Sequence, residues 1–304
     1  DALLVVDESH VTLPQVRAMS TSSSPPNGPA AGAQIAETEF SIELPEHGTV
    51  AARAYGQRRP GTVSPLVLHF HGGTFVCGTL DNGRYIGRLL AEAGAVVVSL
   101  AYPLAPEHPF PQPIEVGYAV LQWLYKHRVK MAGKGAPLFL AGEEAGGNLA
   151  AAVAVISRDR GHPPLAGQIL VSPMLDPCTG TASQREATPE AGECRWATGW
   201  REYLSCPKDA MHPYAVPGSS LRLAQLPPAL VLVGGDDPLR DEAQAYAARL
   251  RAAGVTASSH VLPSASNWPQ ALSEAEACTA CSAAVSQHVH DFFEATMNKP
   301  AAPG

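Results

Sequence analysis

Between Pro137 and Ile156 the chain changes periodicity within a few residues, and that change limits the fold more than any other stretch. Pro137-Leu138-Phe139-Leu140-Ala141 is a short apolar run of the kind that forms a buried strand. Leu149 to Ile156 is rich in alanine and favours a helix. Between them stands Gly142-Glu143-Glu144-Ala145-Gly146-Gly147-Asn148. Small residues at Gly142, Ala145 and Gly146 let a strand and a helix cross closely, which holds Glu144 at the apex of a sharp turn. Gly147 and Asn148 are expected to pack and cap the start of the helix.

The same alternation runs along most of the 304 residues. Glu39–Leu44 and Thr49–Tyr55 read as two strands joined by the turn Pro45-Glu46-His47-Gly48, a hairpin at one edge of a sheet. Short apolar runs at Leu66–Phe70, Ala95–Leu100, Gln168–Val171, Ala229–Val233 and Ser258–Leu262 read as further strands. Helical periodicity falls at about Arg84–Ala93, Ile114–His127, Glu242–Ala253 and Glu274–Met297. Strand and helix in alternation predict a mostly parallel central sheet with helices on both faces. The functional crevice of such a sheet lies at the carboxyl ends of its strands, here near His71, Leu100, Gly142, Pro173, Gly234 and Pro263. Two stretches break the pattern. Residues 1 to about 34 are weakly patterned, with a Ser, Pro, Gly and Ala-rich run from Ser20 to Gly32. Pro177 to Leu226, with Trp196, Trp200 and Tyr203, reads as an insertion that covers something.

Charge and cysteine content exclude several classes. A net charge of −7 disfavours nucleic acid or an anionic membrane surface as partner. No apolar run approaches the ~20 residues that span a bilayer. The first residues are too short an apolar run, and too acidic, for a signal peptide. This favours a cytoplasmic protein, although a leader cleaved upstream of Asp1 would also fit. The six cysteines are too sparse for a disulfide scaffold. Cys278-x-x-Cys281 has metal or redox spacing but reads as a pair of helix-packing thiols, and Cys194 and Cys206 have a spacing that would permit pairing in an oxidising compartment. Neither a metal nor an organic cofactor is indicated.

Four blocks give the chain a family resemblance. They are His71-Gly72-Gly73, the run Tyr102-Pro103-Leu104-Ala105-Pro106-Glu107-His108-Pro109-Phe110-Pro111, the turn at Gly142–Gly146, and Asp237-Pro238-Leu239-Arg240-Asp241-Glu242. In order and spacing they resemble the hormone-sensitive-lipase-type branch of the α/β-hydrolases, mostly carboxylesterases, over about residues 65 to 295. The resemblance implies an α/β-hydrolase fold in a single domain over 1–304, with a cap formed by about 1–34 and 177–226. It implies a small-molecule acyl ester or similar ligand, and an oxyanion hole built from the N–H groups of Gly72, Gly73 and Ala145. It also implies that Asp237 is the carboxylate of a catalytic triad, besides serving as a turn or cap residue before Pro238. An exposed edge strand would allow two copies to pair as a homodimer.

The triad itself departs from the family. Glu144 occupies the place of the nucleophilic serine, and Asn267 falls at or next to the place of the histidine. No histidine occurs between His260 and His288. His69, in an apolar strand, reads as a hydrogen-bonded core residue, and His71 and His108 as structural members of their blocks. Three functions follow. In the first, ordinary ester hydrolysis is weak or lost and the pocket is kept for binding. In the second, Glu144 acts as base or nucleophile in altered chemistry of a lyase or cyclase type. In the third, Glu144 is an introduced substitution in a working esterase. For the first, the Glu144 carboxylate is expected to fold toward the oxyanion hole, ionised and with a lowered pKa. Glu143 is expected to orient the backbone beside it, the alternative being a solvated surface position. Trp196, Trp200, Tyr203 and Trp268 line a pocket or pack a small core of their own.

Overall fold

The computed structural model describes residues 35–187, 194–263 and 279–297. Strands β1 (Glu37–Leu44) and β2 (Gly48–Tyr55) form the expected antiparallel hairpin, in register from Glu37 opposite Tyr55 to Leu44 opposite Gly48. Its turn closes with the His47 N–H donating to Leu44 O at 3.2 Å, and Gly48 supplies the positive φ of 72° that starts the return strand. The remaining strands are β3 (Leu66–Phe70), β4 (Val96–Leu100), β5 (Leu138–Glu143), β6 (Gly167–Val171), β7 (Ala229–Gly234) and β8 (Ala257–Leu262). They make one eight-stranded sheet in the order β1-β2-β4-β3-β5-β6-β7-β8. All pairings from β4 to β8 are parallel, and β2 joins β4 antiparallel.

Alternate side chains of the central strands feed two apolar cores. Leu66, Leu68 and Phe70 of β3 and Leu138 and Leu140 of β5 enter one, with α2 (Gln112–Ala132), α3 (Ala145–Arg160) and α6 (Arg240–Ala252). Val67, Phe139 and Ala141 enter the other, with α1 (Arg84–Glu92) and α7 (Thr279–Met297). Helix α7 docks through Val285, Val289, Phe292 and Phe293, a spacing that puts them on one face. Phe139 meets the Phe292 and Phe293 rings edge-on at 6.1 and 5.0 Å.

Helix α2 is longer than its periodicity predicts. Pro113 sits in its first turn, where a missing N–H costs nothing. At the far end Arg128 to Ala132 add a turn in which Val129 faces solvent, so the apolar period fades before the helix does; Gly133, at φ 111°, ends it. The long β6–β7 connection contains α4 (Ala182–Ala187), α5 (Arg195–Tyr203) and two short 3₁₀ turns. Trp200 and Tyr203 are buried against Phe75, with Tyr203 stacked on the Phe75 ring at 4.1 Å and Trp200 at 4.9 Å. They therefore join the same apolar core that the central strands enter, where the sequence left a pocket lining or a small separate core open. Trp268, Asn267 and Cys278 lie outside the described residues. Cys194 and Cys206 are both free thiols, so the pairing their spacing permits is not made. Among the described residues no helix is long and apolar enough to cross a membrane.

Candidate active site

The turn between β5 and α3 is as sharp as its glycines require. A Cβ on Gly142 would lie 2.2 Å from Gly146 O, and one on Gly146 would lie 2.2 Å from Phe70 O and 2.4 Å from His71 O. Strand β5, helix α3 and the end of β3 thus touch backbone to backbone. Glu144 sits between strand and helix at φ 49°, ψ −118°, a conformation costly for a residue with a Cβ. Its backbone is tied on both sides: its N–H donates to Val171 O at 3.1 Å, and its carbonyl accepts from the Met174 N–H at 2.9 Å.

The Glu144 carboxylate is buried and accepts two hydrogen bonds. The Gly73 N–H reaches Oε2 at 3.0 Å, and Arg195 Nη2 of α5 reaches Oε1 at 2.7 Å. The Arg195 guanidinium also lies 4.6 Å over the Trp196 ring. Sequence reasoning passed over Arg195; a single arginine beside a tryptophan carries no motif. The side chain of Glu144 does fold toward the Gly72-Gly73 loop as expected. Its pKa moves the other way. Burial pushes it up to about 7, more than Arg195 and the Gly73 N–H pull it down, and Glu143 and Asp237 add repulsion.

The three N–H groups expected to form an oxyanion hole are all engaged. Gly72 donates to Glu143 Oε1 at 2.9 Å, Gly73 to Glu144, and Ala145 to Gly73 O at 3.1 Å. Glu143 is buried and holds more than that loop. Its Oε2 meets His69 Nε2 at 2.7 Å, and His69 Nδ1 meets Ser99 Oγ at 2.5 Å. The chain Ser99–His69–Glu143–Gly72 thus links β4, β3, β5 and the loop, which settles Glu143 as an orienting residue and His69 as a core one. His71 is kept neutral by burial. It is stacked on Tyr102 at 4.2 Å, and the Tyr102 hydroxyl donates to His71 O at 3.0 Å. Asn148 is wholly buried in the first turns of α3. Its side chain makes no cap and has no hydrogen-bond partner among the described residues, so the expected capping role is not found.

Asp237 follows β7 and is fully buried. Its Oδ1 accepts the Leu239 N–H at 2.8 Å, the turn-forming role read from the sequence, and its Oδ2 accepts the Ser172 hydroxyl. Burial pushes its pKa up to about 6. Ser172, at the carboxyl end of β6 and at φ 43°, was not singled out from the sequence; its only signal there is its place one residue before the strand end at Pro173. The structure brings Glu144, Gly72, Gly73 and Ala145 together and sets Asp237 near enough to raise the Glu144 pKa. Asn267 has no described position. Among the described residues no group of three or more His, Cys, Asp or Glu side chains is placed to hold a metal ion.

The raised pKa has a stability consequence. A carboxyl that titrates at 4.5 unfolded and about 7 folded binds its proton more tightly in the folded state. Its contribution is fully present below pH 4.5 and is lost as pH rises through 7. Glu144→Gln is therefore expected to flatten the decline in stability over that interval, read as urea midpoints at several pH values. An identical pH dependence in the two proteins would contradict the raised pKa.

Comparison with known proteins identifies the family. A family described as alpha/beta hydrolase fold matches residues 67–266. Esterase LipI of Mycobacterium tuberculosis is 38% identical over 206 residues, 65% of this chain and 63% of its own. Gibberellin receptor GID1A of Arabidopsis thaliana is 33% identical over 207 residues, 64% of this chain and 59% of its own. The chain thus spans less than two thirds of the length of these two relatives. A crystallised hyperthermophilic esterase from Pyrobaculum calidifontis superposes with a TM-score of 0.76 at 34% identity, covering 86% of each chain. With the sheet order, the glycine-tight turn and these matches in agreement, the chain belongs to the hormone-sensitive-lipase-type, carboxylesterase-like family of α/β-hydrolases.

Proposed function

We propose that this carboxylesterase-type α/β-hydrolase has a degenerate triad, that its ordinary ester hydrolysis is weak or lost, and that it keeps its pocket for a small-molecule ligand. One observation carries the reading: the Glu144 carboxylate takes the Gly73 N–H that a substrate oxyanion would need. A carboxylate there supplies no hydroxyl nucleophile and repels the negative charge that develops during acyl transfer. The similarity to a gibberellin receptor supports a binding role on this fold. In this reading the β6–β7 connection covers the pocket, with Arg195 its contact to the turn.

A second reading draws on the Glu144 pKa of about 7, which suits a general base at neutral pH. Glu144 would then remove a proton from a bound ligand, in a lyase- or cyclase-type reaction. Initial rates on short-chain aryl esters separate the readings from simple esterase activity. The unchanged protein and Glu144→Gln are both expected to stay near the uncatalysed rate. Strong turnover by the unchanged protein, abolished in Glu144→Gln, would overturn the first reading.

A further inference from the structure

The end of the sheet opposite the Glu144 turn carries a feature that the candidate site does not use. Gly133, which ends α2, packs against the loop between β2 and β3. A Cβ there would lie 2.9 Å from Thr62 O, 3.2 Å from Val63 Cα and 3.3 Å from Arg58 Nη1. The Gly133 N–H donates to Val129 O at 3.1 Å. One backbone position thus joins Arg58 and Val63 of the loop to Val129 of the helix, with Arg59 and Lys134 next to them in the chain. Lys126 stands three residues before Val129, on the same side of α2. Arg59, Lys126 and Lys134 are exposed, and so are Val63 at 44% and Val129 at 50%.

The charge of this surface is opposite to that of the chain. The net charge is −7, yet no Asp or Glu occurs between Glu46 and Asp81 or between Glu115 and Glu143. The loop and the helix end therefore bring cations and no acids of their own. Cations near a helix C-terminus complement its dipole, which accounts for those on α2. It does not account for Arg58, Arg59 or the two exposed valines. We propose that Arg58, Arg59, Lys126 and Lys134, with Val63 and Val129 among them, form a docking surface for an anionic phospholipid membrane. Anionic headgroups attract the cations, at about fivefold in affinity for each, and the boundary beneath them takes small apolar side chains. A nucleic acid backbone would take the cations and leave the valines in water. The proposal is independent of what Glu144 does. The surface precedes β3 and β5, at their amino ends, while the Glu144 turn lies at the carboxyl end of β5. A chain docked this way turns that site away from the lipid and toward ligands in water.

Co-sedimentation of the full chain with vesicles of phosphatidylcholine and about one third phosphatidylserine, against phosphatidylcholine alone, tests this. At low salt the mixed vesicles are expected to bind about tenfold or more tightly than the neutral ones, and about 0.5 M NaCl is expected to abolish the difference. Arg59→Glu should weaken binding to the mixed vesicles about tenfold or more. Lys208→Glu makes the same change in net charge and should alter it by less than about twofold. Lys208 belongs to the β6–β7 connection, which meets the other end of α2, where the Phe110 N–H donates to Tyr203 O at 2.9 Å. Val63→Ser with Val129→Ser should weaken vesicle binding about threefold or more and leave retention on heparin unchanged. Equal binding to the two kinds of vesicle overturns the proposal, and so do equal effects of Arg59→Glu and Lys208→Glu. Unchanged vesicle binding in the valine variant overturns it as well. Retention on heparin without vesicle binding would assign the surface to a different polyanion and overturn the lipid. If a variant does not fold, the two kinds of vesicle and the salt series on the unchanged protein decide alone.

Discussion

Glu144→Ser combined with Asn267→His is expected to raise turnover of short-chain aryl esters by about 10³–10⁵ over the unchanged chain. The gain has three parts. A serine at the apex between β5 and α3 presents a hydroxyl where the strained backbone now holds a carboxylate. Removing that carboxylate releases the Gly73 N–H for a developing oxyanion. A histidine near position 267 would accept the serine proton, with the buried Asp237 as its carboxylate partner. Glu144→Ser alone should give much less, because members of a triad act as a unit and a hydroxyl without a base is a poor nucleophile. Rates on an acetyl and a butyryl aryl ester are the measurement. A double variant within about tenfold of the unchanged chain would mean that the scaffold no longer positions the reaction, whatever residues it carries.

Gly146→Ala should cost about 3 kcal/mol or more of folding stability, near the upper end for a single methyl added to a core. The added Cβ would lie 2.2 Å from Phe70 O and 2.4 Å from His71 O. Both are backbone atoms at the end of β3, and β3 is paired on both sides, with β4 and β5, so it has nowhere to retreat. Gly48→Ala is the informative contrast. Gly48 is also a glycine at a turn, but nothing lies within 4 Å of its Cβ position. Its cost is the positive φ alone, about 1 kcal/mol. Urea midpoints for the two variants should differ severalfold in their displacement from the unchanged protein. Equal displacements would show that the close crossing at Gly146 is not tightly constrained.

The parts of this molecule that were legible in sequence share a physical cause: each is a local pattern with a local consequence. Val96-Val97-Val98 is buried on both faces and read as a strand without help. Gly142 and Gly146 announced a close crossing because a small residue at such spacing has few other uses. The orienting role of Glu143 was foreseen from the family pattern, though its reach to His69 was not. What escaped depends on contacts far apart in the chain. Arg195 meets Glu144 across 51 residues, and Ser172 meets Asp237 across 65. No periodicity records such a meeting. The Glu144 pKa shows the same limit, since opposing effects of burial and charge cannot be weighed before the burial is known. The Asn148 cap failed for a related reason: an asparagine near a helix start is a good cap only when it stands one residue before the helix, and this one lies inside it.

The chain Ser99–His69–Glu143–Gly72 bears on how such a protein can change over time. The loop that faces the reacting position is held at two successive glycines by two successive residues, Gly72 by Glu143 and Gly73 by Glu144. The first of these holds continues into the core, through the buried imidazole to the serine behind it. A change at 144 gives up one contact with the loop, whereas a change at Glu143 would give up the loop, the imidazole and the serine together.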